Sequence, residues 1–231
     1  MKSGALHQFR HKLQVNEPTY GLWVTLEAAA IAEIATGLRF DWIGIDAANG
    51  TLDWQQVHEH VRATARSETV CLVRLPEATS RLVQRTLQLG AEGVLIPSPE
   101  TPATLQALID HVRESKLAAG HSATRANALV ALMMDAGCRP EELRELIKVG
   151  IELFFFETCA GDETQFGVPI DRLVSEIRKA GKHAGIVAAS DEDLPIYLAR
   201  QFRVLGVGSD AGIISKGIQG TINALKQSGR I

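Results

Sequence analysis

The 231 residues predict one α/β domain folded as a (β/α)8 TIM barrel, and three observations carry that prediction. Eight short apolar runs recur along the chain, each too short for a helix and rich in Val, Ile, Leu or Phe. An amphipathic stretch follows each run, as parallel strands require, since they can be joined only by crossover connections. No glycine-rich fingerprint follows the first run, which argues against a doubly wound open sheet, and no Pro-, Gly- or Ser-rich linker divides residues 1–231.

The opening MKSGALHQFRHKLQ reads as a short helix closing the barrel bottom, followed by the turn NEPTY. The runs are then GLWVTL (21–26), DWIGID (41–46), VCLVRL (70–75), GVLIP (93–97), LVALMMD (129–135), LFFFET (153–158), GIVAA (185–189) and RVLGVG (203–208). They are apolar without interruption because a parallel barrel is covered by helices outside and filled by side chains inside. Between them lie AAAIAEIATGL, WQQVHEHVRATA, ATSRLVQRTLQLG, TPATLQALIDHVR, RPEELRELIKVG, PIDRLVSEIRKAG, DEDLPIYLARQF and GIISKGIQGTINALKQ, with Gly90, Gly150 and Gly181 at helix ends. In the last of these, Ile213, Ile214, Ile218, Ile222 and Leu225 form a continuous apolar face, explained either by packing on strand 8 or by contact with a second subunit.

Composition narrows the function classes. Lys plus Arg is 24 against 27 Asp plus Glu, a net charge of −3, so no basic field exists to neutralise nucleic-acid phosphates. Cys71, Cys138 and Cys159 are odd in number, widely spaced and lack a CxxC pair, which argues against a disulfide framework or a zinc knuckle and points to a reducing cytoplasm. No window approaches the roughly 18 apolar residues of a membrane span, and the first residues lack the apolar stretch of a signal peptide.

In a barrel of this kind the chemistry belongs to the C-terminal strand ends. The polar residues there are Asp46 and Asn49 after strand 2, Arg74 on strand 3, Asp135 after strand 5, Glu157, Cys159 and Asp162 after strand 6, and Ser209 with Asp210 after strand 8. Each has a simpler reading beside it. Arg74 could simply pair with an acidic neighbour inside the barrel, Asp46 and Asp135 could begin turns, Glu157 could face either the barrel interior or the helix layer, and Asp162 could sit in a solvated loop. Cys159 could be a buried thiol, and Ser209 or Asp210 a helix cap beside an anion site. Met133 and Met134 read as core filling. His58 and His60, two apart on a helix, face different ways and read as surface residues rather than a ligand pair.

The segments ALHQFRHKLQVNEPTYGLW, FDWIGID, LVRLP, GVLIPS and LGVGSDAGII together resemble the class II, metal-dependent pyruvate aldolases of the HpcH/HpaI type, over nearly the whole chain. The resemblance implies reversible aldol cleavage of a 2-oxo acid yielding pyruvate, in a homo-oligomer whose last helix packs on a neighbouring subunit. It further implies a divalent cation, Mg²⁺ or Mn²⁺, on oxygen ligands, acting as a Lewis acid on the enolate. By the same resemblance, Arg74 stabilises that enolate and Asp46 is the acid of an Asp–His dyad acting through water.

The site is only partly kept. The family's Asp-Gly-Glu-His reads Asp46-Ala47-Ala48-Asn49, and Asn cannot titrate. Its Gln-Ile-Glu-Thr reads Met133-Met134-Asp135-Ala136, so the metal-binding Glu becomes an Asp shorter by about 1.5 Å. Its Gly-Pro-Ala-Asp reads Glu157-Thr158-Cys159-Ala160, which leaves Asp162, after a two-residue insertion, or Glu157 as the second metal ligand. Cys159 and Ala160 become candidate substrate contacts, and the loop before strand 5, ESKLAAGHSATRAN, is shorter than the family's.

Overall fold

The computed structural model describes residues 3–49, 51–97, 101–118, 128–134, 140–157 and 166–228. In chain order the elements are α1 (Ser3–Gln14), β1 (Thr19–Val24), α2 (Ala30–Gly37), β2 (Trp42–Asp46), α3 (Trp54–Thr64), β3 (Val70–Arg74), α4 (Ser80–Leu89), β4 (Gly93–Ile96) and α5 (Pro102–Ala118). There follow β5 (Leu129–Met134), α6 (Pro140–Lys148), β6 (Leu153–Phe156), α7 (Ile170–Lys179), β7 (His183–Val187), α8 (Asp193–Ala199), β8 (Val204–Ser209) and α9 (Asp210–Gln227). All eight strands pair in parallel in sequence order, and β1 pairs with β8 to close the barrel. The predicted (β/α)8 fold is therefore the observed one, with β1 and β7 each beginning two residues earlier than their apolar runs.

Period-two alternation sorts each strand into two cores. On β3, Cys71 and Val73 join the layer between barrel and helices, while Val70 and Leu72 fill the interior. On β5 and β6, Val130, Leu132, Met134, Phe154 and Phe156 face the helices, and Leu129, Ala131, Met133, Leu153 and Phe155 face inward. The same parity continues to the strand ends, so residues 46, 74 and 157 fall in the inward-facing set.

The bottom of the interior is sealed by α1, whose Ala5, Leu6, Phe9 and Leu13 pack with Trp42, Val70 and Phe155. Two ion pairs tie α1 to the barrel rim: Arg10 donates to both Glu152 oxygens at 2.7 and 2.5 Å, and Lys12 donates to Asp41 at 2.6 Å. The Trp42 indole is fully buried above this seal, and only glycine fits at position 21, where a Cβ would stand 2.1 Å from that ring. His183 opens β7 near this end. Burial, and after it the Arg178 charge, hold its imidazole pKa below the usual value, with Lys182 adding to the effect and Glu152 opposing it.

Two local expectations are corrected. His60 is buried rather than on the surface, because on α3 it shares the inward face with Val57, Val61 and Thr64; its Nδ1 lies 2.8 Å from the Gln56 carbonyl, whereas His58 is exposed. Gly90 and Gly181 adopt the left-handed conformation of helix ends, at φ 109° and 72°, but Gly150 is not among the described residues with positive φ.

The last helix departs most from ordinary packing. Of the 18 residues of α9, Asp210 alone is buried, and Ile213, Ile214 and Ile218 are 47%, 47% and 58% exposed. Packing on β8 therefore does not cover the apolar face read from the sequence. No described helix is long and apolar enough to cross a membrane.

Candidate active site

The C-terminal mouth is organised around one guanidinium. Arg74 ends β3 beside Asp46, the last residue of β2, with which it is in register. Its Nη1 donates to Asp46 Oδ2 at 3.2 Å and to Glu157 Oε1 at 2.9 Å, and its Nη2 donates to Glu157 Oε2 at 2.6 Å. The Glu157 contact is a two-pronged fork, the strongest geometry such a pair adopts. The Asn49 amide reaches the same group: with its oxygen turned toward Arg74 it accepts from Nη1 and Nη2 at 2.8 and 3.1 Å.

Each side chain comes from a strand end or the loop just after it. Glu157 follows β6, its backbone N–H bonded to the Met134 carbonyl at 3.1 Å, and its inward parity carries it across the mouth to Arg74. Asp46 is fixed more completely. Its Oδ1 accepts from the backbone N–H groups of Ala48 and Asn49 at 3.0 and 2.9 Å, and its Oδ2 accepts from Trp23 Nε1 at 3.1 Å as well as from Arg74. These four donors match the roughly four lone-pair positions of a carboxylate, so Asp46 holds Arg74 and the loop in place and has no acceptor site left for a water.

Beneath this cluster lies a cavity of about 210 Å³, rimmed by Asp46, Asn49, Arg74 and Glu157 and walled by Trp23, Met133, Phe155, Phe156 and Val187. Trp23 and Phe155 stack with ring centroids 5.5 Å apart and form its floor. Met133 thus belongs to the cavity wall, while Met134 lies in the helix-side core. The exposures differ in a way that matters: the Arg74 and Asp46 side chains are 12% and 4% exposed, against 44% for Glu157. Two carboxylates face one guanidinium, so among the described residues the mouth carries an excess of negative charge.

Of the residues singled out from the sequence, Asp46, Asn49, Arg74 and Glu157 converge here. Ser209 and Asp210 do not. Ser209 caps α9 by accepting from the Gly212 N–H at 3.1 Å and lines a separate cavity of about 390 Å³ with Val187, Gly208 and Lys216. Asp210 is buried, with its carboxylate accepting from Thr25 N, Thr25 Oγ1, Leu26 N and its neighbour Ala211 N at 2.8–3.0 Å. It pins the end of β1 to the start of α9. Asp135, Cys159, Ala160 and Asp162 lie outside the described residues. No group of three His, Cys, Asp or Glu side chains placed to hold a metal ion occurs among the described residues.

Fold and mouth together define a (β/α)8 barrel whose C-terminal mouth, among the described residues, holds an anchored arginine over a cavity walled by apolar side chains. Residues 19–138 match the model of the HpcH/HpaI aldolase/citrate lyase family, and the chain belongs to that family. Among curated relatives it is 27% identical to the hydroxypyruvate/pyruvate aldolase of Deinococcus radiodurans, covering 96% of this chain and 91% of that one. It is 25% identical to the 2-keto-3-deoxy-L-rhamnonate aldolase of Escherichia coli K12, covering 96% and 94%. Among solved structures, an HpcH/HpaI aldolase/citrate lyase family protein from Burkholderia cenocepacia J2315 superposes with a TM-score of 0.81 at 20% identity, covering 95% of this chain and 99% of that one.

Proposed function

We propose that this chain is a carbon–carbon lyase that cleaves a 4-hydroxy-2-oxo acid by a retro-aldol step with release of pyruvate, or runs that step in reverse. The observation that carries the reading is Arg74, pinned by Asp46 over an apolar-walled cavity at the mouth of a barrel whose relatives are aldolases. In the cleavage the C3–C4 bond breaks and its electron pair passes into the C2–C3 enolate. The C4 hydroxyl loses its proton and becomes the aldehyde, and the enolate takes a proton at C3 to become pyruvate. Arg74 places N–H donors where the negative charge of the enolate oxygen develops. Asn49, which has no titratable proton, orients the guanidinium. Glu157, the most exposed carboxylate of the cluster, would take the hydroxyl proton once the substrate has displaced it from Arg74.

The resemblance to metal-dependent aldolases also implies Mg²⁺ or Mn²⁺. The described residues do not by themselves make such a site, because Glu157 is taken up by Arg74 and Asp46 is saturated, so no step is routed through a cation. In this reading Asp135, with Asp162 or a released Glu157, would hold the ion, and a hard cation there would supply Lewis acidity to the enolate. Cys159 and Ala160, just after β6, would contact the substrate carboxylate. Ser209 and the helix start that Asp210 fixes would meet the distal part of the substrate through the neighbouring cavity.

The reading includes a homo-oligomer, with the exposed Ile213, Ile214 and Ile218 of α9 covered by a second copy. A solution mass equal to one chain at micromolar concentration would overturn that part. The reading also includes a cytoplasmic location, supported by three cysteines that are odd in number, widely spaced and without a CxxC pair.

The enzyme reading is tested by following exchange of the pyruvate methyl protons with deuterium by NMR. Protein with Mg²⁺ or Mn²⁺ is expected to accelerate exchange well beyond the metal alone, and equal rates overturn it. A second reading, a carboxylate-binding barrel without turnover, is favoured by the non-titrating Asn49, and equal exchange rates together with measurable pyruvate binding would support it.

A further inference from the structure

We infer that Glu157 is the specificity-determining residue of this mouth, competing with the substrate for Arg74 and admitting only ligands that offer two coplanar oxygens in its place. The inference rests on the reading of Arg74 as the anchor of the substrate. The guanidinium has one edge facing the cavity mouth, and both nitrogens of that edge donate to Glu157, at 2.9 and 2.6 Å. This is the fork that a carboxylate, or the carboxylate and keto oxygens of a 2-oxo acid, would need for itself. A ligand can take that edge only by displacing Glu157.

The geometry also says which partner yields. Arg74 is 12% exposed and held from the strand side by Asp46, itself fixed by three further donors, so the guanidinium stays where it is. Glu157 is 44% exposed and sits at a strand end facing solvent, where a released carboxylate is readily hydrated. A ligand with a single oxygen would replace two charge-assisted hydrogen bonds with one and would lose the competition. A two-oxygen ligand restores both. The apparent affinity is then the intrinsic affinity reduced by the fraction of molecules in which Arg74 is released.

The test is calorimetric titration of the full chain with oxalate in metal-stripped buffer, so that neither turnover nor a cation enters the reading. Wild type is expected to bind weakly. Glu157→Gln and Glu157→Asp are each expected to bind about tenfold more tightly, as follows if the pair is closed about nine-tenths of the time. The Asp variant keeps the charge but is shorter by about 1.5 Å, so it cannot make the fork. Adding Arg74→Lys to Glu157→Gln is expected to remove the gain. Equal affinity in wild type and both variants overturns the competition, and so does tightening by Gln without tightening by Asp, which would reduce Glu157 to plain charge repulsion. Tightening by both variants, in a protein that fails the deuterium-exchange test, leaves the competition standing and overturns the lyase reading alone.

Discussion

At the bottom of the barrel Arg10 meets Glu152 and Lys12 meets Asp41, each cation answered by one acid and each pair joining α1 to the rim. At the mouth, among the described residues, one cation, Arg74, is answered by Asp46, Glu157 and the Asn49 amide. One-to-one pairs on a partly exposed rim anchor a helix and add little else, typically below about 1 kcal/mol each. Three oxygen groups converging on one half-buried guanidinium exceed what holding the strands requires, since β2 and β3 are already joined by their ladder. One-to-one anchoring and the many-to-one cluster are thus separated along the barrel axis, and the cluster lies at the end where barrels of this kind carry their activity.

That separation can be broken or sharpened by substitution. The largest effect is expected at the mouth, where Arg74→Lys keeps the charge beside Asp46 but loses the fork, and deuterium exchange into pyruvate should fall by about a hundredfold with Tm little changed. A large loss of Tm instead would make Arg74 a structural residue and blur the comparison. At the bottom, Gly21→Ala drives a methyl group into the Trp42 ring and should cost about 1–3 kcal/mol, read as a Tm lowered by about 2–4 °C per kcal/mol, while exchange measured in the cold is retained. The smallest effect concerns pH. Because His183 has its pKa held below 6.5, the unfolded chain binds a proton that the folded chain resists. Its contribution to stability is therefore full above pH 6.5 and lost as pH falls through the folded value, and His183→Gln should flatten that slope in urea melts.

How far the sequence reached follows the range of the interactions involved. The strands were legible because burial on both faces leaves them apolar without interruption, as in LVALMM and LFFF. Asp46 and Arg74 were legible as a place because both end such runs. The fork between Arg74 and Glu157 was not, because it spans 83 residues and the two strands are not neighbours; counting parity inward from Leu153 and Phe155 would have turned Glu157 to the interior. Nor was the saturation of Asp46 by Trp23, which depends on an indole reaching across from β1. His60 lies inside because of the helical face it shares with Val57 and Val61, and its two-residue spacing from His58 carries no information about that face.

The seam of the barrel sets a condition on how the protein is made. β1 finds its second partner in β8, with Thr19 aligned to Val204, 185 residues later in the chain. At translation rates of about 5–20 residues per second, the outer edge of β1 waits on the order of 10–40 seconds for the strand that completes it. Throughout that interval Tyr20, Gly21 and Trp23 present unpaired backbone groups beside exposed aromatic surface, a template on which another nascent chain could pair. Closure therefore waits on β8, the last of the eight strands to be made, and α9 then joins Asp210 to the end of β1 at Thr25.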